Sequence, residues 1–184
     1  MANSRIQLVN ATTKASPTME IKTTFTVDKP ADQVWDVLGN DFGGAAKWAT
    51  GLYHSEEYGA PQLAGASCNN RACDTDFGKI KEVIKVFDQK NYHLAYSVIE
   101  GFPGFVKSGT NNWRLTPQGD KTRVDIHFVG ELRGVMGFIM KPMMKMKLGG
   151  AIKQAGLDFK HYVETGKPSA KKAKKLAKTA RKAA

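Results

Sequence analysis

The sequence has few cysteines and no apolar segment long enough to cross a bilayer. Its two cysteines, Cys68 and Cys73, are too few for a disulfide-stabilised scaffold. No apolar run reaches the roughly 18 residues that suggest a membrane-spanning helix. Residues 1–18 are polar and lack the apolar block of a secretion signal, so we interpret them as a flexible lead-in. These absences predict a cytoplasmic protein whose cysteines are reduced.

The chain also lacks the motifs of several common chemistries. It has no glycine-rich phosphate loop, no nucleophile elbow and no HExxH motif. Its four histidines fall on different predicted elements, and no cluster of His, Cys and Asp has metal-ligand spacing. We therefore assign no catalytic residue, no metal and no cofactor, and the sequence favours a binding protein over an enzyme.

Acidic residues are absent from the C-terminal segment, and this absence explains most of the net charge. Residues 167–184 contain eight Lys or Arg, which leaves +3 of the formal +11 for residues 1–166. Repulsion among the lysines predicts a disordered tail. Two roles of this tail remain open. One is to keep the protein soluble, and the other is weak electrostatic contact with nucleic acid or an anionic membrane.

The order of predicted elements is one strand, a short helical region, a long helix-free stretch and one long helix. Apolar residues alternate with polar ones in seven segments, as in half-buried strands. These segments cover residues 19–27, 52–57, 66–74, 80–87, 92–100, 107–115 and 123–132. Helical periodicity returns after Gly134 and continues to about Thr165. We predict an α+β fold in which a curved antiparallel sheet of about seven strands surrounds a long C-terminal helix, with short helices after the first strand.

Two turns predict the register of the middle strands. A tight hairpin centred on residues 76–77 places Arg71 opposite Glu82. A second hairpin centred on Lys90 gives three further pairs: Val86 with Leu94, Ile84 with Tyr96, and Glu82 with Val98. One inner face then carries a mainly apolar set that includes the Arg71–Glu82 pair. Cys68 and Cys73 have opposite parity in one predicted strand, which argues against a disulfide and a shared metal site.

Several segments follow one another in an order that resembles a known superfamily. They are residues 30–38 (PADQVWDVL), Trp48, Gly65, Arg71, Gly78, residues 81–84 (KEVI), 87–88, 92–97, 112–117 (NWRLTP) and 157–166. Together they resemble the START-like polyketide cyclase/dehydrase and lipid-transport superfamily (SRPBCC), with its Bet v 1-like helix-grip fold, over residues 19–166. The resemblance implies a cavity between the sheet and the long helix that takes an apolar or amphipathic small molecule. It also implies that Glu82 lies on the cavity wall and that residues 74–78 and 101–106 flank the mouth.

We choose candidate ligand-binding residues from the cavity that the resemblance implies and from the pattern of apolar and charged residues. Five of the seven methionines lie within residues 136–146. Their flexible side chains suit a surface that accommodates varied ligands. Ordinary core packing remains an alternative. A buried Arg71–Glu82 pair is either a polar anchor for a ligand or a structural ion pair. The full set of candidates is Arg71, Glu82, Ile84, Tyr96, Phe102, Phe105, Trp113, Phe128, Met140 and Met144, with Phe102 and Phe105 gating entry.

We predict a single ligand-binding domain over residues 19–166, preceded by a lead-in and followed by a basic tail. Its expected function is to bind, and to carry or sense, a hydrophobic or amphipathic small molecule. One alternative is an aromatase/cyclase-type enzyme acting on a polyketide-like substrate, with Glu82 and Tyr96 as its acid–base groups. A second is a module that the tail tethers to nucleic acid or an anionic membrane.

Overall fold

The computed structural model describes residues 17–183, and the side chains of residues 17–180. The predicted lead-in, residues 1–18, therefore lies almost entirely outside the described residues. One antiparallel, curved sheet has the strand order β1-β7-β6-β5-β4-β3-β2. Its strands are β1 (Thr18–Val27), β2 (Leu52–Tyr58), β3 (Asn70–Thr75), β4 (Gly78–Asp88), β5 (His93–Glu100), β6 (Val106–Gln118) and β7 (Lys121–Leu132). The helix-grip architecture predicted from the sequence is confirmed.

Within residues 17–183, three α-helices accompany the sheet: α1 (Ala31–Trp35), α2 (Gly134–Thr165) and α3 (Ala170–Ala183). A π turn (Asp36–Asn40) and a 3-10 segment (Phe42–Lys47) connect α1 to β2. Helix α2 continues through Pro142 and ends at Gly166, whose left-handed φ of 69° lets its N–H cap the helix on the carbonyl of Tyr162. None of the described helices is long and apolar enough to cross a bilayer.

The register of the middle strands agrees with the sequence prediction except at one bulge. Arg71 faces Glu82, and Ile84 faces Tyr96, as predicted. The predicted pairing of Val86 with Leu94 is wrong, because a register shift between Ile84 and Val86 brings Phe87 opposite Leu94 instead. A bulge adds one residue to one strand and therefore reverses the alternation beyond it. Phe87 is buried in place of Val86 and packs edge-to-face on Trp35.

The third strand begins later than predicted, and this changes the position of one cysteine. Strand β3 begins at Asn70 rather than at residue 66, so Cys68 lies in the connection before it. The prediction that Cys68 and Cys73 share a strand and point to opposite faces is therefore wrong. Both are buried free thiols.

An aromatic cluster fills part of the space between α2 and the sheet. The ring of Phe159 from α2 lies 5.1 Å from that of Trp48 and 5.3 Å from that of Trp113, both in edge-to-face geometry. Trp48 and Trp113 also contact each other edge-to-face. Such pairs add to the stabilisation from apolar burial. The cluster anchors the C-terminal half of α2 on the sheet.

The basic tail forms a helix that packs on the body, which differs from the predicted disorder. The Lys172 side chain is fully buried, and its Nζ donates to the carbonyl of Leu52 at 2.7 Å. Lys175 Nζ donates to the carbonyl of Thr50 and to Asp76 Oδ1, each at 2.6 Å. Ser169 Oγ donates to the buried carboxylate of Asp158. These acceptors on the body offset the lysine repulsion on which the prediction of disorder was based.

We expect Lys172→Ala to loosen α3, because a hydrogen bond from a charged donor contributes about 1.5–3 kcal/mol. Backbone amides of residues 170–183 should then exchange with deuterium roughly ten- to a hundredfold faster in exchange mass spectrometry. Lys174→Ala is the matched control, because Lys174 is exposed on the same helix and helix propensity changes equally. Equal exchange in the two variants would contradict the packing of α3 described here.

Candidate functional site

A cavity of about 410 Å³ lies between the sheet, the 3-10 segment and residues 140–155 in the middle of α2. This volume falls in the range of small-molecule binding sites. The wall is mainly apolar and includes Leu38, Phe42, Leu94, Val98, Phe102, Phe105, Phe128, Met140, Met144, Leu148 and Ile152. Trp48 and Trp113 of the aromatic cluster also line this space, so the cluster forms one of its boundaries.

Nine of the ten candidate residues lie on the wall of this cavity. They are Arg71, Glu82, Tyr96, Phe102, Phe105, Trp113, Phe128, Met140 and Met144. Ile84 lies instead in the hydrophobic core, where it is buried away from the cavity. That these side chains contact a ligand remains a prediction.

Sequence reasoning missed Asn111, which lies on the wall with Gly109 and Trp113. The three residues alternate along β6, so the inward position of Trp113 could have identified Asn111. It also missed Phe42, whose carbonyl and ring both contact Arg71. Nothing in the local pattern of the 3-10 segment predicts that contact, because it depends on how the segment packs against the sheet.

The polar part of the wall is built around a buried ion pair between β3 and β4. Arg71 Nε and Nη2 lie 2.8 Å and 2.6 Å from Oε2 of Glu82, and both residues are about 95% buried. Arg71 Nη1 donates to the Phe42 carbonyl at 2.7 Å, and the guanidinium lies 3.9 Å from the centre of the Phe42 ring. Among residues 17–180, no donor reaches Oε1 of Glu82, so one carboxylate oxygen remains free to accept a hydrogen bond.

Tyr96 lies beside this pair and is connected to Asn111. Asn111 Nδ2 donates to Tyr96 Oη at 3.0 Å, and the Tyr96 ring packs edge-to-face on Phe42. Burial raises the pKa of Tyr96, and the Glu82 carboxylate raises it further. The hydroxyl therefore stays protonated at neutral pH, and within the described residues it has no acceptor for its proton. Tyr96 can supply a hydrogen-bond donor near the ion pair, because the Arg71 guanidinium lies 5.0 Å from the centre of the Tyr96 ring.

Burial and charge also determine the ionisation of Arg71 and Cys73. Burial alone would lower the pKa of Arg71, but the adjacent Glu82 carboxylate outweighs it, and the pKa lies above its usual value. Burial raises the pKa of the Cys73 thiol to about 12, and its Sγ donates to Glu82 Oε2 at 3.6 Å. Arg71 therefore stays charged at physiological pH, and the Cys73 thiol near it stays neutral.

We expect Cys73 to resist alkylation in the folded protein. At pH 9.0 an ordinary thiol is half ionised, whereas a pKa of about 12 leaves roughly a thousandfold less thiolate relative to thiol. The folded state keeps this proton while the unfolded state loses it, so Cys73 lowers stability as pH rises from 9.0 towards 12. Peptide mass spectrometry after iodoacetamide treatment at pH 9 should find Cys73 modified only in denaturant. Rapid native modification would contradict a buried, protonated thiol.

The loop between β5 and β6 covers one side of the cavity. Its first residue, Gly101, has φ of 96°, and a Cβ there would lie 2.1 Å from the carbonyl of Lys79, so only glycine fits. The Phe102 ring lies over Gly109, where a Cβ would come within 2.6 Å of it. These two glycines let the loop fold inward. The predicted gating role of Phe102 and Phe105 rests on this position.

Among residues 17–180, no group of three His, Cys, Asp or Glu side chains is arranged to hold a metal ion. The wall offers apolar contact, the Arg71–Glu82 ion pair, a tyrosine hydroxyl and an asparagine amide, and it also includes Asp41, Thr75 and Lys147. Such a set can bind and orient an uncharged or amphipathic molecule.

The family model described as polyketide cyclase / dehydrase and lipid transport matches residues 18–164, and the chain belongs to this family. Its fold is that of the START and Bet v 1-like superfamily. No curated protein sequence matches the chain.

Three solved structures illustrate the similarity of fold. A START superfamily protein from Mycobacterium smegmatis is 14% identical with a TM-score of 0.64, covering 79% of this chain and 97% of that one. The Zhui aromatase/cyclase from Streptomyces sp. R1128 is 16% identical with a TM-score of 0.61, covering 91% and 97%. Norcoclaurine synthase from Thalictrum flavum, a point mutant with a transition-state analogue, is 17% identical with a TM-score of 0.62, covering 81% and 96%. At these identities the comparison establishes the fold alone.

Proposed function

We propose that the protein binds, and carries or senses, a hydrophobic or amphipathic small molecule in the cavity under α2. The observation that carries this proposal is the cavity of about 410 Å³, whose mainly apolar wall includes the neighbouring polar residues Arg71, Glu82 and Tyr96. Transfer of an apolar molecule from water into such a space contributes about 25 cal/mol per Å² buried. The methionines Met140 and Met144 can adapt to ligands of different shape.

The polar end of the ligand would lie against Glu82 and Tyr96. Glu82 Oε1 accepts and Tyr96 Oη donates, so a ligand hydroxyl can satisfy both groups. Arg71 holds Glu82 in place through Oε2, which makes the acceptor rigid before a ligand arrives. An apolar body with one hydroxyl or carbonyl is the ligand class that best matches this wall.

The alternative of an aromatase/cyclase-type enzyme has less support from the geometry. An acid–base mechanism needs a group that changes protonation near neutral pH. The raised pKa of Tyr96 makes it a poor proton donor in that range, and Oε2 of Glu82 is already bonded to Arg71. Binding without turnover is therefore the reading we favour. Glu82→Gln separates the two, because a carrier keeps binding with altered preference whereas an enzyme loses turnover.

The third reading, a module tethered by its tail, is weakened by the contacts of α3. Lys171, Lys172 and Lys175 all donate to acceptors on the body, so part of the tail charge is already engaged.

We keep the cytoplasm as the proposed compartment, since Cys68 and Cys73 are free thiols.

The proposal is tested with a matched pair of ligands, naphthalene and its hydroxylated analogue naphthol. We expect the wild-type protein to prefer naphthol, and Tyr96→Phe to reduce that preference about five- to tenfold, since a neutral hydrogen bond contributes about 1 kcal/mol. Isothermal titration calorimetry measures both affinities.

Tyr92→Phe is the control for the loss of a hydroxyl. Tyr92 Oη bonds to Asp32 at the surface and does not line the cavity, so this variant should keep the wild-type preference. If neither ligand binds the wild-type protein, or if both variants behave alike, the proposed polar site is wrong.

A further inference from the structure

The first half of α2 exposes six large apolar side chains to solvent. Five of them do not line the cavity, and we call these five the outer face of α2: Val135, Met136, Phe138, Ile139 and Met146. The sixth, Met143, also lies on the cavity wall. Phe138 and Met146 are each 71% exposed. Monomeric proteins rarely leave such a contiguous apolar patch uncovered unless it binds something. Within residues 17–180, no side chain buries it.

The outer face lies opposite the side of α2 that lines the cavity. At about 100° per residue, its five members occupy an arc of roughly 160°, and Met140, Met144 and Leu148 point the other way. The first four turns of α2 are therefore apolar on both sides. A helix of this kind needs an apolar neighbour on each side. The cavity and the sheet supply only one.

Lysines flank the outer face, and acids are absent from it. Lys145 borders the apolar arc on one side, with Lys141 about 60° beyond that edge. Lys147, which also lines the cavity, borders the arc on the other side. The sequence has no Asp or Glu between Glu131 and Asp158. No ion pair among residues 17–180 involves these three lysines. Their long stems can lie along apolar surface while the charges reach outward. The partner that complements this surface is apolar inside and negatively charged at its boundary.

We propose that the outer face of α2 docks onto an anionic lipid bilayer, with its apolar side chains among the acyl chains and its lysines among the phosphates. A second copy of the chain fits less well, because a two-fold contact between these faces brings the lysine rows of both copies together.

This docking surface is connected to the wall of the cavity. The N–H of Arg133, just before α2, donates to the carbonyl of Phe105, and its Nε donates to that of Gly104. A bilayer that contacts the outer face therefore lies beside the loop that covers the cavity. The docking does not depend on the identity of the ligand, or on whether the cavity is occupied.

Flotation with lipid vesicles tests the proposal on the full chain. Vesicles of phosphatidylcholine mixed equally with phosphatidylglycerol should bind the wild-type protein. Phe138→Glu should bind about ten- to a hundredfold more weakly, since it removes one buried aromatic side chain from the membrane. Leu157→Glu is the control, because Leu157 is an exposed apolar residue in the other half of the same helix.

The contribution of charge is tested with two double variants. Lys141→Gln/Lys145→Gln should weaken binding roughly thirtyfold, at about 1 kcal/mol per lysine, and Lys174→Gln/Lys178→Gln on α3 should change it much less. Vesicles of phosphatidylcholine alone should bind all variants weakly. If the α3 variant loses binding and the α2 variant keeps it, the tail is the membrane contact and our proposal is wrong.

Two other results would also overturn the proposal. Wild-type protein that does not float with anionic vesicles would exclude docking to such a bilayer. Self-association in analytical ultracentrifugation that Phe138→Glu abolishes, without vesicle binding, would identify an interface between copies instead. Phe138 does not line the cavity, so naphthol titration of Phe138→Glu reports on the ligand site separately.

Discussion

Arg71→Met should lower the free energy of unfolding by about 3–5 kcal/mol, because it leaves the Glu82 carboxylate buried without a counter-charge. Glu82 is only 5% exposed, and its other described contact is the weak donor Cys73. The carbonyl of Phe42 also loses its guanidinium donor. Urea denaturation followed by tryptophan fluorescence measures the change.

Two further variants determine whether the loss comes from the unpaired charge. Arg71→Met/Glu82→Leu removes both charges and should regain most of the lost stability, since a buried ion pair is often replaced by apolar residues at little cost. Lys81→Met removes the ion pair between Lys81 and Glu100, which is solvent-exposed on the opposite face of the sheet. This variant should leave the urea midpoint of unfolding unchanged. If Arg71→Met is as stable as Lys81→Met, the ion pair is not buried as described.

Met140→Trp/Met144→Trp should weaken ligand binding at least about a hundredfold, which corresponds to about 2.7 kcal/mol. Both methionines line the cavity from α2, and two indole rings would occupy a large share of its 410 Å³. The ligand would then lose apolar contact and meet steric conflict. Calorimetric titration with naphthol measures the affinity.

Met136→Trp/Met146→Trp is the matched control on the same helix. Both methionines are more than half exposed, and neither lines the cavity, so naphthol affinity should stay within about twofold of wild type. Equal affinity in the two double variants would mean that naphthol binds elsewhere.

The sheet and the ion pair could be predicted from the sequence because local patterns encode them. The Asp76–Phe77 turn determines the register that brings Arg71 opposite Glu82, and the alternation of apolar residues marks the buried face. The bulge between Ile84 and Val86 could not be predicted, because nothing in the alternation marks the extra residue. Its effect is confined to the end of β4, where Phe87 is buried in place of Val86.

The helical tail and the outer face of α2 depend on long-range contacts. The sequence predicts that Lys172 is exposed to solvent. Only the packing of α3 on the body brings it to the Leu52 carbonyl, which accepts its hydrogen bond. The methionine-rich start of α2 predicted a cavity wall, but the sequence does not distinguish its inner side from its outer side, since both are apolar. In the structure, Met140 lines the cavity, whereas Met136 is exposed to solvent.

Native mass spectrometry of the protein as purified tests the central claim most directly. We predict that the wild-type protein carries a co-purifying small molecule with an apolar body, which is released on denaturation and identified after extraction. Met140→Trp/Met144→Trp, purified in parallel, should be free of it, and Met136→Trp/Met146→Trp should retain it. A bare polypeptide mass for the wild-type protein, together with no measurable binding of naphthol or naphthalene, would contradict a ligand-binding cavity.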